Sequence, residues 1–148
     1  PAGRRRNPVL RANINVRSRE VYTVAVINKV KNLKLLQVSD TTETPRENTA
    51  YIRAAHLSPN APGVDVRINN RTIARNVSFQ NVTRYDPVDT GTYNLRVFKA
   101  GTENKVLQKN NVVLQSGFYY TFYVLGLVGE NNSLQGIVPV DGIYRFVN

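Results

Sequence analysis

The sequence predicts an all-β protein: an Ig-like or transthyretin-like antiparallel sandwich, present as one complete copy behind the back half of another. Three observations predict it. Apolar and polar residues alternate with period 2 in several segments, as half-buried strands require. Turn-forming residues separate those segments at roughly 8–12-residue spacing. A long stretch near the start also repeats, position by position, near the end. No window carries a 3.6-residue apolar stripe with helix caps, so helices are not expected.

Residues 1–40 are expected to form the back half of a first repeat. PAGRRRNPVLRANINVRSREVYTVAVI (1–27) matches KAGTENKVLQKNNVVLQSGFYYTFYVL (99–125) at an offset of 97 to 98. Gly3 falls on Gly101, Leu10 on Leu107, Ile14 on Val112, Val16 on Leu114, Tyr22 on Tyr120 and Thr23 on Thr121. Beyond a short insertion (GEN), KLLQVSD resembles GIVPVDG. A period of this length is too long for a solenoid and suits tandem sandwich domains. Residues 9–38 should therefore supply two or three strands. Arg4, Arg5 and Arg6 then stand in place of Thr102, Glu103 and Asn104 at the tip of a connection, where the plain reading is a solvated loop.

The polar stretch DTTETPREN (40–48) marks a linker, expected at about 41–49. The complete sandwich is expected over 50–141. AYIRAAHL opens it, and SPNAPG (58–63) is dense in turn formers. In VDVRIN, Val64, Val66 and Ile68 share a face opposite Asp65 and Arg67. Asn69-Asn70 suits a two-residue hairpin turn because asparagine tolerates positive φ. Asp86 and Asp89 flank Pro87 like turn acids. Tyr93, Leu95 and Val97 alternate with Thr92, Asn94 and Arg96. FYYTFYVLGL is almost wholly apolar and aromatic, so it should be a central strand buried on both faces. IYRFVN (143–148) resembles the opening YIRAAH, with Arg145 on Arg53, and suggests a further strand at 142–148.

Composition narrows the function. The chain has 148 residues, of which 41% are hydrophobic, enough for one core. No apolar run approaches the roughly 18–20 residues that span a bilayer. Cysteine is absent, so disulfides, thiolate metal sites and cysteine nucleophiles drop out. The absence of methionine, even at position 1, suggests a processed or trimmed chain, which leaves a lost export signal open. The net charge of +10 is uneven: residues 1–40 hold nine basic and two acidic residues, or +7. Arg4, Arg5, Arg6, Arg11, Arg17 and Arg19 are candidate contacts to a polyanion, either an anionic wall polymer or, less favoured, nucleic acid.

Catalytic chemistry finds little support. His56 is the lone histidine and cannot build a typical zinc site; its expected role is to bond the turn that follows. Ser58 and Asp65 lack a nucleophile elbow around them. Asp65, Asp86, Asp89 and Asp141 lack calcium-loop spacing, and Asp65 is expected to make a sheet-face or turn-fixing hydrogen bond. Phe118, Tyr119, Tyr120, Phe122 and Tyr123 form one apolar run without interleaved cations, which favours core packing over a stacking platform. No cofactor and no metal are implied.

One resemblance is specific. Arg53, His56, Ser58, Pro59, Ala61, Pro62, Val64, Asp65, Val66 and Asn69 follow an R-x-x-H-x-S-P-x-A-P-x-V-D-V-x-x-N pattern. Tyr85, Val88, Gly91 and Tyr93, then Gly117, Tyr120 and Thr121, continue it. In these the chain resembles the domain-of-unknown-function 4397 family over about 50–141, with 1–40 as the back half of a preceding copy. The resemblance implies an exported, often tandem β-sandwich on prokaryotic surfaces, with no catalytic residues to carry over. The expected function is therefore non-enzymatic: a structural or adhesive subunit of an extracellular or cell-surface assembly. The orphaned half-repeat needs its faces and edges covered by missing residues, by the complete domain or by a neighbouring molecule. The last would give a homo-oligomer or filament held by strand exchange, and Ile14, Val16, Tyr22, Val24, Val26, Tyr144 and Phe146 are its candidate contacts.

Overall fold

A computed structural model describes residues 10–28, 32–41, 43–129 and 133–143. It is all-β, with eleven strands among the described residues. Val21–Ile27 (β1) and Lys34–Asp40 (β2) form an antiparallel hairpin. The strands Thr49–His56 (β3), Val64–Ile68 (β4), Arg71–Val77 (β5), Asp86–Asp89 (β6), Gly91–Lys99 (β7), Lys105–Leu114 (β8), Phe118–Leu125 (β9), Gln135–Ile137 (β10) and Val140–Ile143 (β11) build the sandwich.

One sheet runs β10-β9-β3-β6, with β11 also on β9; the other runs β5-β4-β7-β8. β10 and β11 share one edge of β9 and amount to a single edge strand broken around Val138-Pro139, where proline cannot donate to a ladder. The other edge of β9 pairs β3 in parallel, with Arg53 opposite Thr121. Alternation sorts the side chains. Ile52, Ala54, Phe122 and Val124 face inward onto Val64, Val66, Leu95, Val97 and Leu114, all buried. Asn69-Asn70 makes the two-residue β4–β5 turn with Asn69 at φ 50°, as its tolerance of positive φ suggested.

The opposite face of the β3–β9 sheet is covered by the β1–β2 hairpin, so the molecule has three layers. Ile27 is buried against Ala55, Leu57 and Tyr123, with Ala25, Leu36, Phe79, Val82 and Leu125 around it. This third layer is why β9 is buried on both faces, as expected of FYYTFYVLGL.

Two expectations fail. Ile14 and Val16 lie on no strand: residues 11–20 are all exposed, and Gln37 Nε2 donating to the Asn15 carbonyl at 2.8 Å is the hydrogen bond that ties this stretch to β2. Their counterparts in β8 are strand because β7 pairs them, whereas among the described residues no strand pairs Ile14 and Val16. Asp86 and Asp89 are not turn acids but the ends of β6, an edge strand paired to β3, where Pro87 is tolerated. Asp86 also pairs with Arg71 at 3.0 Å.

Candidate functional site

Between the hairpin and the sandwich lies a buried polar cluster centred on Arg53. Alternation along β3 points Arg53 away from the aliphatic core, and the hairpin then seals it in. A guanidinium so enclosed must be paired. Its Nε donates to Thr121 Oγ1 at 2.8 Å, one terminal nitrogen to the Ser39 carbonyl at 2.9 Å, and the other to Asp40 Oδ1 at 2.6 Å. Asp141 Oδ2 lies 3.8 Å away. The guanidinium also covers the Tyr85 ring at 4.4 Å, a cation–π distance. Tyr85 donates to Asp141 at 2.6 Å, and Thr121 donates to the same oxygen.

The cluster holds two carboxylates against one guanidinium. Burial pushes the Asp40 carboxyl above its ordinary range, and the nearby Asp141 charge adds to this; Thr23 and Arg53 oppose it. Burial and then the bond to Asp141 push the Tyr85 phenol far up, so it stays neutral and serves as a donor.

A local symmetry is visible. Thr23 donates to Asp40 at 3.0 Å just as Thr121 donates to Asp141. The register agrees: the pairs Tyr22–Ser39, Ala25–Leu36, Val26–Leu35 and Ile27–Lys34 match Tyr120–Val140, Tyr123–Ile137, Val124–Gly136 and Leu125–Gln135 at offsets of 98 and 101. Among the described residues β1 pairs β2, whereas β9 also has β3 as a parallel neighbour. The edge of β1 that β2 leaves free borders a groove of about 460 Å³, lined by apolar residues including Leu57, Pro59, Leu125, Leu127 and Ile137.

The hairpin turns its other face to solvent. Val24 and Val26 are 42% and 62% exposed and Tyr22 is half-buried, whereas their counterparts Phe122, Val124 and Tyr120 are 0%, 1% and 5% exposed. These three are the expected contacts that the structure brings together on one surface. Ile14 and Val16 are exposed nearby in sequence but off the hairpin. Tyr144 and Phe146 lie outside the described residues, as do Arg4, Arg5 and Arg6; Arg11, Arg17 and Arg19 are exposed.

His56 is fully buried. Its Nδ1 accepts from the Ser58 amide at 3.2 Å and its Nε2 lies 2.9 Å from the Pro62 carbonyl, which makes Nε2 the protonated nitrogen. It pins the turn that follows, as expected. Ser58 Oγ is oriented toward Asn60. Asp65 accepts from the Asn76 and Gly101 amides at 2.8 and 3.0 Å, tying β5 and the β7–β8 turn to β4. The aromatics of β9 are core and cluster residues, with Tyr119 stacked on Tyr51 at 4.5 Å. Sequence reasoning missed the Arg53 cluster: Thr23 stands at the repeat position of Thr121, but the alignment of KLLQVSD with GIVPVDG sets Asp40 one place off Asp141, and the strand register brings the two into correspondence.

Fold and site together define a β-sandwich that carries, across a buried charged interface, a hairpin built like its own β9 edge. The chain belongs to the family described as a domain of unknown function (DUF4397), whose model matches residues 2–67 and again residues 50–143. A comparison with curated proteins finds no match.

Proposed function

We propose that this protein is a non-enzymatic structural or adhesive subunit of an extracellular or cell-surface assembly, built from tandem copies of one sandwich. The observation that carries the reading is the bare face of the hairpin. Tyr22, Val24 and Val26 hold positions whose counterparts form the core of the complete copy, yet they meet solvent. An exposed apolar sheet face beside an open strand edge favours association with another sheet. The partner this reading names is a second copy of the same fold, which gives a homo-oligomer or filament joined by main-chain pairing and apolar burial.

A second reading is favoured by the exposure of Arg11, Arg17 and Arg19: docking on an anionic wall polymer or nucleic acid. Salt separates the two. At about 1 M salt the screening length falls to about 3 Å and polyanion contacts weaken steeply, whereas apolar association persists. Light scattering across a concentration series in high salt is expected to show particles larger than one chain. Monodisperse single chains at every concentration, with polymer binding that vanishes in salt, would replace the first reading by the second.

A further inference from the structure

We propose that the groove along the β1 edge that β2 leaves free receives residues 144–148 of a second copy, which follow its β11, as a parallel strand with the arginine on Thr23. The proposal rests on the assembly reading above and supplies the acceptor, the donor and the register.

The acceptor is built from β1 backbone on one side and an apolar floor on the other, formed by Leu57, Leu125, Leu127 and Ile137. Among the described residues β1 pairs only β2, so its other edge offers unpaired ladder groups. The equivalent edge of β9 is filled by β3 in parallel, with Tyr51, Ile52 and Arg53 opposite Tyr119, Tyr120 and Thr121. Subtracting the offset of 98 puts the same kind of strand opposite Val21, Tyr22 and Thr23. IYRFVN carries the Tyr51-Ile52-Arg53 pattern as Ile143, Tyr144 and Arg145.

Charge selects an arginine at that register. The cluster beneath β1 holds Asp40 and Asp141 with Arg53 as the cation in contact with both. A second guanidinium there would balance the charge. Thr23 Oγ1, which donates to Asp40, retains acceptor capacity, as Thr121 Oγ1 does while it binds Arg53. The Tyr123 hydroxyl lines the same groove, is buried without a hydrogen-bond partner among the described residues, and has Thr23 as a polar neighbour. An incoming arginine supplies the donor it lacks.

The test uses the intact chain with a fluorescently labelled IYRFVN peptide at low protein concentration, read by anisotropy, together with light scattering of the full chain and of its Arg145→Glu variant. Saturable binding is expected, weakened about tenfold or more when glutamate replaces the peptide's arginine. Ile137→Glu, a change at a half-exposed floor position, should weaken binding without unfolding the chain. The Arg145→Glu chain should lose self-association. If the full chain associates, the Arg145→Glu chain associates equally and the peptide does not bind, this proposal is overturned while the assembly reading stands. Peptide binding by a chain that stays single at all concentrations overturns the second copy as donor, and the assembly reading with it.

Discussion

Arg53 and Asp65 sit at opposite ends of what a buried charge can do. Arg53 neutralises two carboxylates that would otherwise be enclosed without a cation, so Arg53→Leu should destabilise the protein by about 3–5 kcal/mol in urea unfolding. Arg53→Lys keeps the charge but loses the fork that reaches Thr121, Ser39 and Asp40 together, and should fall between. Asp65 orders two backbone amides, and Asp65→Ala leaves both unpaired, at a cost of about 2 kcal/mol. The acid behaviour of the two carboxyls Asp65 and Asp40 should differ in sign. Burial pushes the Asp65 carboxyl up, but the two amides with Arg75 and Arg67 outweigh it, so its pKa is net depressed. Its contribution is present above the ordinary aspartate value of about 3.9 and is lost as pH falls through the depressed value. The Asp40 pKa is raised, so the folded state holds that proton more tightly, and its contribution to stability grows as pH falls through the raised value. Urea midpoints from pH 2 to 6 for Asp65→Asn and Asp40→Asn should therefore depart from the parent in opposite directions.

At the scale of elements, the hairpin is held by Ile27, Leu36 and the Asp40–Arg53 pair. Ile27→Ala removes the most buried of these apolar anchors and should cost about 2–4 kcal/mol. Amide exchange should then rise across β1 and β2 while β7 and β8 stay protected; an unchanged hairpin would mean that it is held elsewhere. Gly136 in β10 lies against the Phe122 ring and Leu107, where a methyl group has no room, so Gly136→Ala should cost about 1–3 kcal/mol by thermal unfolding. Much of this level was legible in the sequence. Alternation located β4 and β7, the Asn69-Asn70 turn announced its hairpin, and the apolar run located β9. The half-repeat was less legible, because a strand exists only with a partner: Ile14 and Val16 alternate like β8 but are paired by no strand among the described residues. Asp86 and Asp89 looked like turn residues because proline stands between them, and only the edge position of β6 reconciles that proline with a ladder. The outward-facing Arg53 could not be placed from β3 alone, since the layer that buries it comes from a segment remote in the chain.

For the whole molecule, the arrangement has a consequence for assembly. The hairpin uses the outer face of its sheet, Thr23, Ala25 and Ile27, to cover the outer face of the complete copy. That leaves its core face and one edge as the surfaces on which an assembly would grow. Substituting lysine at both Val24 and Val26 places charge on that face without touching the Arg53 cluster, so the fold should survive and particle size in high salt should fall to one chain. The most direct measurement is amide exchange of residues 21–27 as a function of protein concentration. The account predicts protection of β1 that deepens as concentration rises and particles grow, with the Val24 and Val26 lysine variant held at the dilute value. Rapid exchange of β1 at every concentration, in particles that nonetheless form, would contradict it.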